Sequence, residues 1–193
     1  MGSETITLRI LTDRAGSVTE ITNYLQDLEK AYNSLYAFDK FLDALNSGSK
    51  DRQRFFGFPL TPNFKLDTSR DFILPENRLT ITKVVIQSPG FWEIMGTFNP
   101  LQQLKEYLKD RYESRKGKEW HEQTEMGKAI LEDQLIQRQL YESENRPVRV
   151  RIEIFRAIGF SNEEIRELIW TNVGKPLMEL GKHQDIGLIN DAE

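Results

Sequence analysis

The strongest constraint on the fold is a long amphipathic stripe in the first quarter of the chain. Ser17 and Glu20 stand at the spacing of a capping box, in which each side chain satisfies the other residue's free backbone N–H. Large apolar side chains then recur every three or four positions, at Ile21, Leu25, Leu28, Tyr32, Leu35, Leu42 and Leu45. This spacing predicts one helix of about seven turns, ended by the polar residues 46–49.

Strand patterns flank this helix. Residues 5–10 alternate polar and apolar side chains, and residues 79–86, LTITKVVI, are rich in β-branched residues. Residues 72–74 are a further short strand candidate. The order strand, helix, strand, strand predicts a small α+β domain over residues 1–90. One helix over so small a sheet makes a thin core, which needs the later helices or a second copy to close it.

An apolar cluster follows in residues 88–104, SPGFWEIMGTFNPLQQL. Phe91, Ile94, Met95 and Phe98 share one helical face, so we predict a short helix between Pro89-Gly90 and Asn99-Pro100. It packs either into the core of its own chain or against another chain. No Lys or Arg occurs between residues 89 and 103, which disfavours a membrane-surface helix. The predicted interface residues are Phe91, Trp92, Ile94, Met95, Phe98, Leu101, Leu104 and Leu108.

The rest of the chain is predicted to be helix-rich and partly coiled-coil-like, over residues 91–185. Residues 100–144 are compatible with one helix or two, because Gly117 interrupts a charged centre. Residues 148–158 fit a helix or a strand. Ser161 and Glu164 form a second capping box, and residues 186–193 are expected to be a flexible tail.

Residues 154–168, IFRAIGFSNEEIREL, resemble the linker and second helix that follow the DNA-reading helices of MerR-type regulators. The likeness covers these residues alone, and the recognition helices and winged loop of that family have no counterpart before them. The same pattern is typical of an ordinary αα-hairpin. A DNA-binding role is therefore kept as an alternative.

Charge supports the same alternative. The net charge is −4, but basic residues concentrate at 105–118 and 146–156, ahead of an acidic C-terminal end. Phosphate contacts through these segments would use Lys109, Arg115, Lys116, Arg146, Arg149 and Arg156. The competing interpretation is a solvated face whose cations pair with acidic neighbours.

Catalytic signatures are missing from the sequence. It has no cysteine, no glycine-rich phosphate loop, and two histidines, His121 and His183, without metal-ligand spacing. No cofactor, metal, secretory signal or membrane span is expected. We therefore expect a non-enzymatic, bacterial-type cytoplasmic protein, an oligomerising scaffold or adaptor that contacts itself or another protein through its helices. The alternative is a nucleic-acid-binding accessory or regulatory protein.

Overall fold

The structure, a computed structural model, describes residues 4–47, 73–117, 155–156 and 159–193. It confirms the α+β class. The strands are β1 (Thr5–Thr12), β2 (Thr80–Val85) and β3 (Gly90–Thr97), and the helices are α1 (Val18–Ser47), α2 (Phe98–Gly117), α3 (Asn162–Ile169) and α4 (Lys175–Asp185). A 3-10 turn at Pro75–Asn77 precedes β2, and a π-helical turn at Trp170–Gly174 follows α3.

The chain forms two compact units, each made of segments that are separate in the sequence. Unit 1 comprises residues 1–37, 67–120 and 176–193, and unit 2 comprises residues 38–66 and 121–175. The predicted domain boundary between residues 90 and 91 lies at the start of β3, within unit 1. The predicted coiled-coil character of the C-terminal region stays a prediction.

The sheet of unit 1 is antiparallel, with the strand order β1–β3–β2. Its central strand is the segment that we predicted to be a short helix, so that prediction was wrong. Trp92 and Ile94 are buried on the inner face of β3, whereas Phe91, Glu93 and Met95 lie on the outer face. A period of two replaces the expected helical period because β1 and β2 pair with both edges of this segment. Ile73 and Leu74, predicted as part of a third strand, lie outside the strands.

The predicted capping box at the start of α1 is confirmed. The Ser17 backbone N–H donates to Glu20 Oε2 at 2.8 Å, and the Glu20 N–H donates to Ser17 Oγ at 3.2 Å. Arg14 adds an ion pair, with its Nη2 2.5 Å from Glu20 Oε1. The hydrogen bond from Arg14 and those from Ser17 lower the pKa of Glu20 from 4.5 to about 2.

This lowered pKa predicts an acid-sensitive contribution to stability. A carboxylate with a depressed folded-state pKa stabilises the fold above its unfolded pKa, near 4.5, and loses that contribution as the pH falls towards 2. The wild-type protein should therefore exceed Glu20→Gln in unfolding free energy at neutral pH, with the difference shrinking over this interval. Urea titrations at several pH values measure it. Arg14→Gln should reduce this pH dependence while the hydrogen bonds with Ser17 retain part of it, and a difference that persists unchanged at pH 2 would contradict the assignment.

Helices α2 and α4 are joined by buried polar contacts within unit 1. Arg111 Nη2 lies 2.6 Å from both carboxylate oxygens of Asp185, and the guanidinium side chain is nearly buried. Gln184 Nε2 donates to Leu108 O at 2.9 Å. Leu177 and Leu180 are buried as well. These contacts hold the C-terminal end of α4 against α2.

Residues 186–193 were expected to be a flexible tail, and that expectation was wrong. Leu188, Ile189 and Ala192 are buried. The segment pairs with β1 through backbone hydrogen bonds: Asn190 N to Leu11 O at 2.8 Å, Leu11 N to Asp191 O at 2.8 Å, Arg9 N to Glu193 O at 3.1 Å, and Glu193 N to Arg9 O at 2.8 Å. The C-terminal segment thus covers the edge of β1 that faces away from β3.

Unit 2 contains the second predicted capping box, which is also confirmed. Ser161 and Glu164 exchange hydrogen bonds at the start of α3. Gly159, in the left-handed region with φ of 97°, precedes it, and Phe160 N donates to Phe155 O while Gly159 N donates to Arg156 O. This pair of bonds is a Schellman motif, and the contact between the Phe155 and Phe160 rings accompanies it. Phe155 and Arg156 are helical, and the other residues of 148–158 lie outside the described residues.

Candidate functional site

Strand β2 is the free edge of the sheet among the described residues. It pairs with β3 on one side, and no described strand pairs with its other side. An unpaired edge presents backbone N–H and C=O groups that can extend a sheet with another chain. The opposite edge, along β1, is covered by the C-terminal segment. The two edges of the sheet therefore differ: the β2 edge can pair with another strand, whereas the β1 edge is already paired.

The inner face of the sheet continues into an exposed apolar strip along β2. Ile81 lies opposite Ile94, and Val84 lies opposite Trp92, so both β2 side chains belong to the inner face. Ile94 and Trp92 are buried, yet Ile81 is 43% and Val84 38% exposed. We call residues 79–86 the β2 edge. Apolar side chains on a free strand edge are typical of a contact with another chain.

A β-bulge sets which side chains of the β2 edge share a face. The pairing with β3 shifts between Ile81 and Lys83, which leaves Thr82 as the extra residue. Thr82 Oγ1 donates to the Glu93 carbonyl oxygen at 3.1 Å. Because of the bulge, Ile81 and Val84 share the inner face although they are three positions apart, whereas Lys83 lies opposite Glu93.

The outer face of the sheet carries charged groups that satisfy one another. Arg9 Nη2 lies 3.1 Å from Glu93 Oε2. The Arg9 guanidinium is 4.5 Å, and the Lys83 ammonium 5.4 Å, from the centre of the Phe91 ring. Such cross-strand pairs and cation–π contacts stabilise a sheet. These contacts explain the positions of the charged side chains on the outer face without a bound ligand.

The predicted interface residues divide into two groups. Five of the eight are buried within unit 1: Trp92, Ile94, Leu101, Leu104 and Leu108. Phe91 is half-buried on the outer face, and Met95 and Phe98 are partly exposed. The buried group forms the core that closes the thin sheet, so a contact surface on unit 1 must use other residues.

Among the predicted nucleic-acid contacts, the described part of the chain includes the side chains of two, one in each unit. Lys109 is exposed on α2. Arg156 donates to Asn162 Oδ1 at 3.2 and 3.3 Å. The side chains of Arg115 and Lys116, and Arg146 and Arg149 entirely, lie outside the described residues. The nucleic-acid alternative stays a prediction.

A histidine–carboxylate pair in unit 1 was missed by the sequence analysis, which considered His183 only as a possible metal ligand. His183 Nε2 lies 2.9 Å from Asp27 Oδ2, and the imidazole is nearly buried. The ring of Tyr24 packs edge-on against it, with 5.6 Å between the ring centres. Burial raises the pKa of Tyr24 above its ordinary value. No sequence signal joins these residues, because 156 positions separate Asp27 from His183.

This pair borders a shallow cleft of about 250 Å³ between α1 and α4. Its lining residues are Asn23, Gln26, Asp27, Glu179, Lys182 and His183. None of the six carries a hydroxyl or thiol nucleophile for the imidazole to activate. His183 Nδ1 is buried, and no described group is hydrogen-bonded to it. This geometry is more typical of a contact that holds two helices together than of a pair that performs acid–base catalysis.

The part of the chain that the structure describes contains no group of three or more His, Cys, Asp or Glu residues arranged to hold a metal ion. No helix in it combines the length and the apolar character needed to cross a bilayer.

Comparison with known proteins gives no relative. The chain matches no protein-family model, and neither a curated protein nor a solved structure is significantly similar to it. Functional inference therefore rests on the geometry of the chain itself, and the β2 edge is the strongest feature.

Proposed function

We propose that this chain is a non-enzymatic cytoplasmic scaffold or adaptor that oligomerises by protein–protein contact, with the β2 edge as its contact surface. The observation that supports it most is the exposure of apolar inner-face side chains on a sheet edge that no described strand covers. Ile81 and Val84 lie on the same face as the buried Ile94 and Trp92, yet they are themselves exposed.

The energetics favour covering this edge. Complete burial of a Val or Ile side chain contributes about 1.5–3 kcal/mol, so burying the exposed part of Ile81 and Val84 contributes on the order of 1 kcal/mol each. Ile86, 62% exposed, adds to the strip. Backbone hydrogen bonds along a paired edge provide further stabilisation and fix the orientation of the partner.

The surface differs from the helical interface expected from the sequence. Leu101, Leu104 and Leu108 on α2 are buried within unit 1, so this helix face is already used. The proposed contact surface is therefore a sheet edge and not a helix face, and the expected class of function is unchanged.

Light scattering after size exclusion tests the proposal. The chain has a mass of 22.6 kDa, and we expect the wild-type particle to exceed it at high protein concentration. Val84→Glu should return the mass to that of one chain, because a carboxylate in an apolar contact is left without compensation. Its far-ultraviolet circular dichroism should stay that of a folded protein.

Thr7→Glu is the matched control. Thr7 is an exposed strand residue opposite Met95 on β1, away from the β2 edge, so this substitution should leave the particle mass unchanged. A wild-type protein that remains a single chain even at high concentration would overturn the proposal.

A further inference from the structure

The apolar side chains of the β2 edge are arranged symmetrically about one point of the strand. Ile81 and Val84 lie on the inner face, and strand alternation places Leu79 and Ile86 on the same face. The sequence LTITKVVI thus presents its inner-face residues at 79, 81, 84 and 86. These positions are mirror-related about the midpoint between Thr82 and Lys83.

We propose that the partner of the β2 edge is a second copy of this chain, and that the two β2 strands pair antiparallel about a two-fold axis between Thr82 and Lys83. The inference rests on the proposed function, because it names the partner and the register for the same surface. An antiparallel pair related by such an axis joins two sheets into one continuous sheet.

The register follows from which side chains come to lie opposite each other. An axis between Thr82 and Lys83 places Ile81 of one chain opposite Val84 of the other, and Leu79 opposite Ile86, each pair occurring twice. Residues directly opposite in an antiparallel pair point to the same face and have their Cβ atoms about 5 Å apart. All four exposed or half-buried apolar side chains of the inner face then find apolar neighbours.

Three neighbouring positions of the two-fold axis give less favourable pairs of facing side chains. An axis at Lys83 places the two Lys83 ammonium groups directly opposite each other, which is destabilising. An axis at Thr82 pairs Ile81 with Lys83, which lie on opposite faces of the sheet. An axis at Val84 pairs Val84 with itself but sets Ile81 against Gln87.

The bulge is compatible with a second copy of this strand. It makes the inner-face positions of β2 three residues apart at its centre. A second copy carries the same bulge, so two residues of each strand, Thr82 and Lys83, face each other across the axis. The inner-face residues then lie opposite inner-face residues on both sides of the axis.

The charges on the outer face are compatible with this arrangement. Lys83 would lie opposite Thr82 of the second copy and would remain beside its own Glu93 and Phe91. No like charges lie directly opposite each other in the proposed pairing. Electrostatic repulsion therefore does not oppose it.

Engineered cysteines test the register, since the chain contains no cysteine of its own. The double variant Ile81→Cys/Val84→Cys should form an intermolecular disulfide on mild oxidation, seen as a covalent dimer on a non-reducing gel. A disulfide within one chain would leave the band at the position of a single chain, so only pairing between two chains gives the covalent dimer. Either single variant should give about tenfold less covalent dimer, because each cysteine then lacks a facing thiol.

Three further variants report the competing registers. Lys83→Cys alone crosslinks if the axis lies at Lys83, Val84→Cys alone if it lies at Val84, and Thr82→Cys alone if it lies at Thr82. Efficient crosslinking of any of these, with none from Ile81→Cys/Val84→Cys, would overturn the proposed register.

The outcomes separate the two proposals. A wild-type oligomer whose Ile81→Cys/Val84→Cys variant does not crosslink overturns the two-fold pairing and leaves the proposed function standing. A wild-type protein that stays a single chain, with no crosslinking from any variant, overturns both. Selective crosslinking of the Ile81→Cys/Val84→Cys variant within a particle of twice the chain mass supports both.

Discussion

Deletion of residues 188–193 should destabilise unit 1 by several kcal/mol, enough to leave it largely unfolded. The deletion removes the buried side chains of Leu188, Ile189 and Ala192 and exposes the edge of β1. Loss of one large buried aliphatic side chain costs about 2–5 kcal/mol, and whole domains are stable by only about 5–15 kcal/mol. A flexible tail, by contrast, could be removed without effect.

Urea denaturation followed by circular dichroism measures this change. The Leu188→Ala/Ile189→Ala double variant keeps the chain length and its backbone hydrogen bonds, so it should show a smaller loss than the deletion. Glu193→Ala is the matched control, because the Glu193 side chain is exposed and only its backbone pairs with Arg9. An unchanged urea midpoint for the deletion variant would contradict the structural role of this segment.

Tyr32→Phe should lower the unfolding free energy by about 2–4 kcal/mol through the loss of a single oxygen atom. The Tyr32 hydroxyl accepts the Thr97 N–H at 2.9 Å and donates to the Asn77 carbonyl oxygen at 2.6 Å. All three residues are buried, so both backbone groups would lose their partner without gaining water. Each buried group left unsatisfied costs about 1–3 kcal/mol.

The neighbourhood of Gly96 leaves the Tyr32 ring little room to move. A Cβ atom at Gly96 would approach ring atom Cε2 of Tyr32 to 2.8 Å. Glycine at this position of β3 therefore lets the phenol lie against the strand and reach the Thr97 backbone. The hydroxyl links α1, the 3-10 turn and the end of β3.

Tyr24→Phe is a closely matched control on the same helix. Tyr24 is also fully buried, but its hydroxyl has no hydrogen-bond partner among the described residues. Removing it loses no bond and relieves the burial of a polar atom, so the substitution should be neutral or stabilising. Equal losses from Tyr32→Phe and Tyr24→Phe in urea titrations would show that the loss does not come from the two hydrogen bonds.

The sequence predicted those elements whose signals are local. The apolar stripe and the Ser17–Glu20 capping box predicted α1 with nearly its observed bounds. The Ser161–Glu164 capping box predicted where α3 begins. The β-branched run at 79–86 gave β2. Each of these signals lies within a few residues of the structure that it specifies, so the pattern is readable without knowing the neighbours.

Residues 90–97 show where such a reading fails. Phe91, Ile94 and Met95 fit a helical face, whereas Trp92, Ile94 and Gly96 fit one face of a strand. So short an apolar run fits both periods, and pairing with β1 and β2 decides between them. The candidate site likewise depends on strand pairing. The symmetric spacing of its apolar residues is visible in the sequence of residues 79–86, but their exposure follows from the position of β2 at the edge of the sheet.

Local signals were enough to predict the α+β class, the long first helix, both capping boxes and the β2 strand, because capping, periodicity and β-branching act between near neighbours. Long-range contacts settle that residues 90–97 form the central strand, that the last residues complete the β1 edge, and that His183 lies beside Asp27. They also leave β2 at the free edge among the described strands. These contacts join residues up to 184 positions apart, such as Arg9 and Glu193, and no local pattern encodes such a pairing.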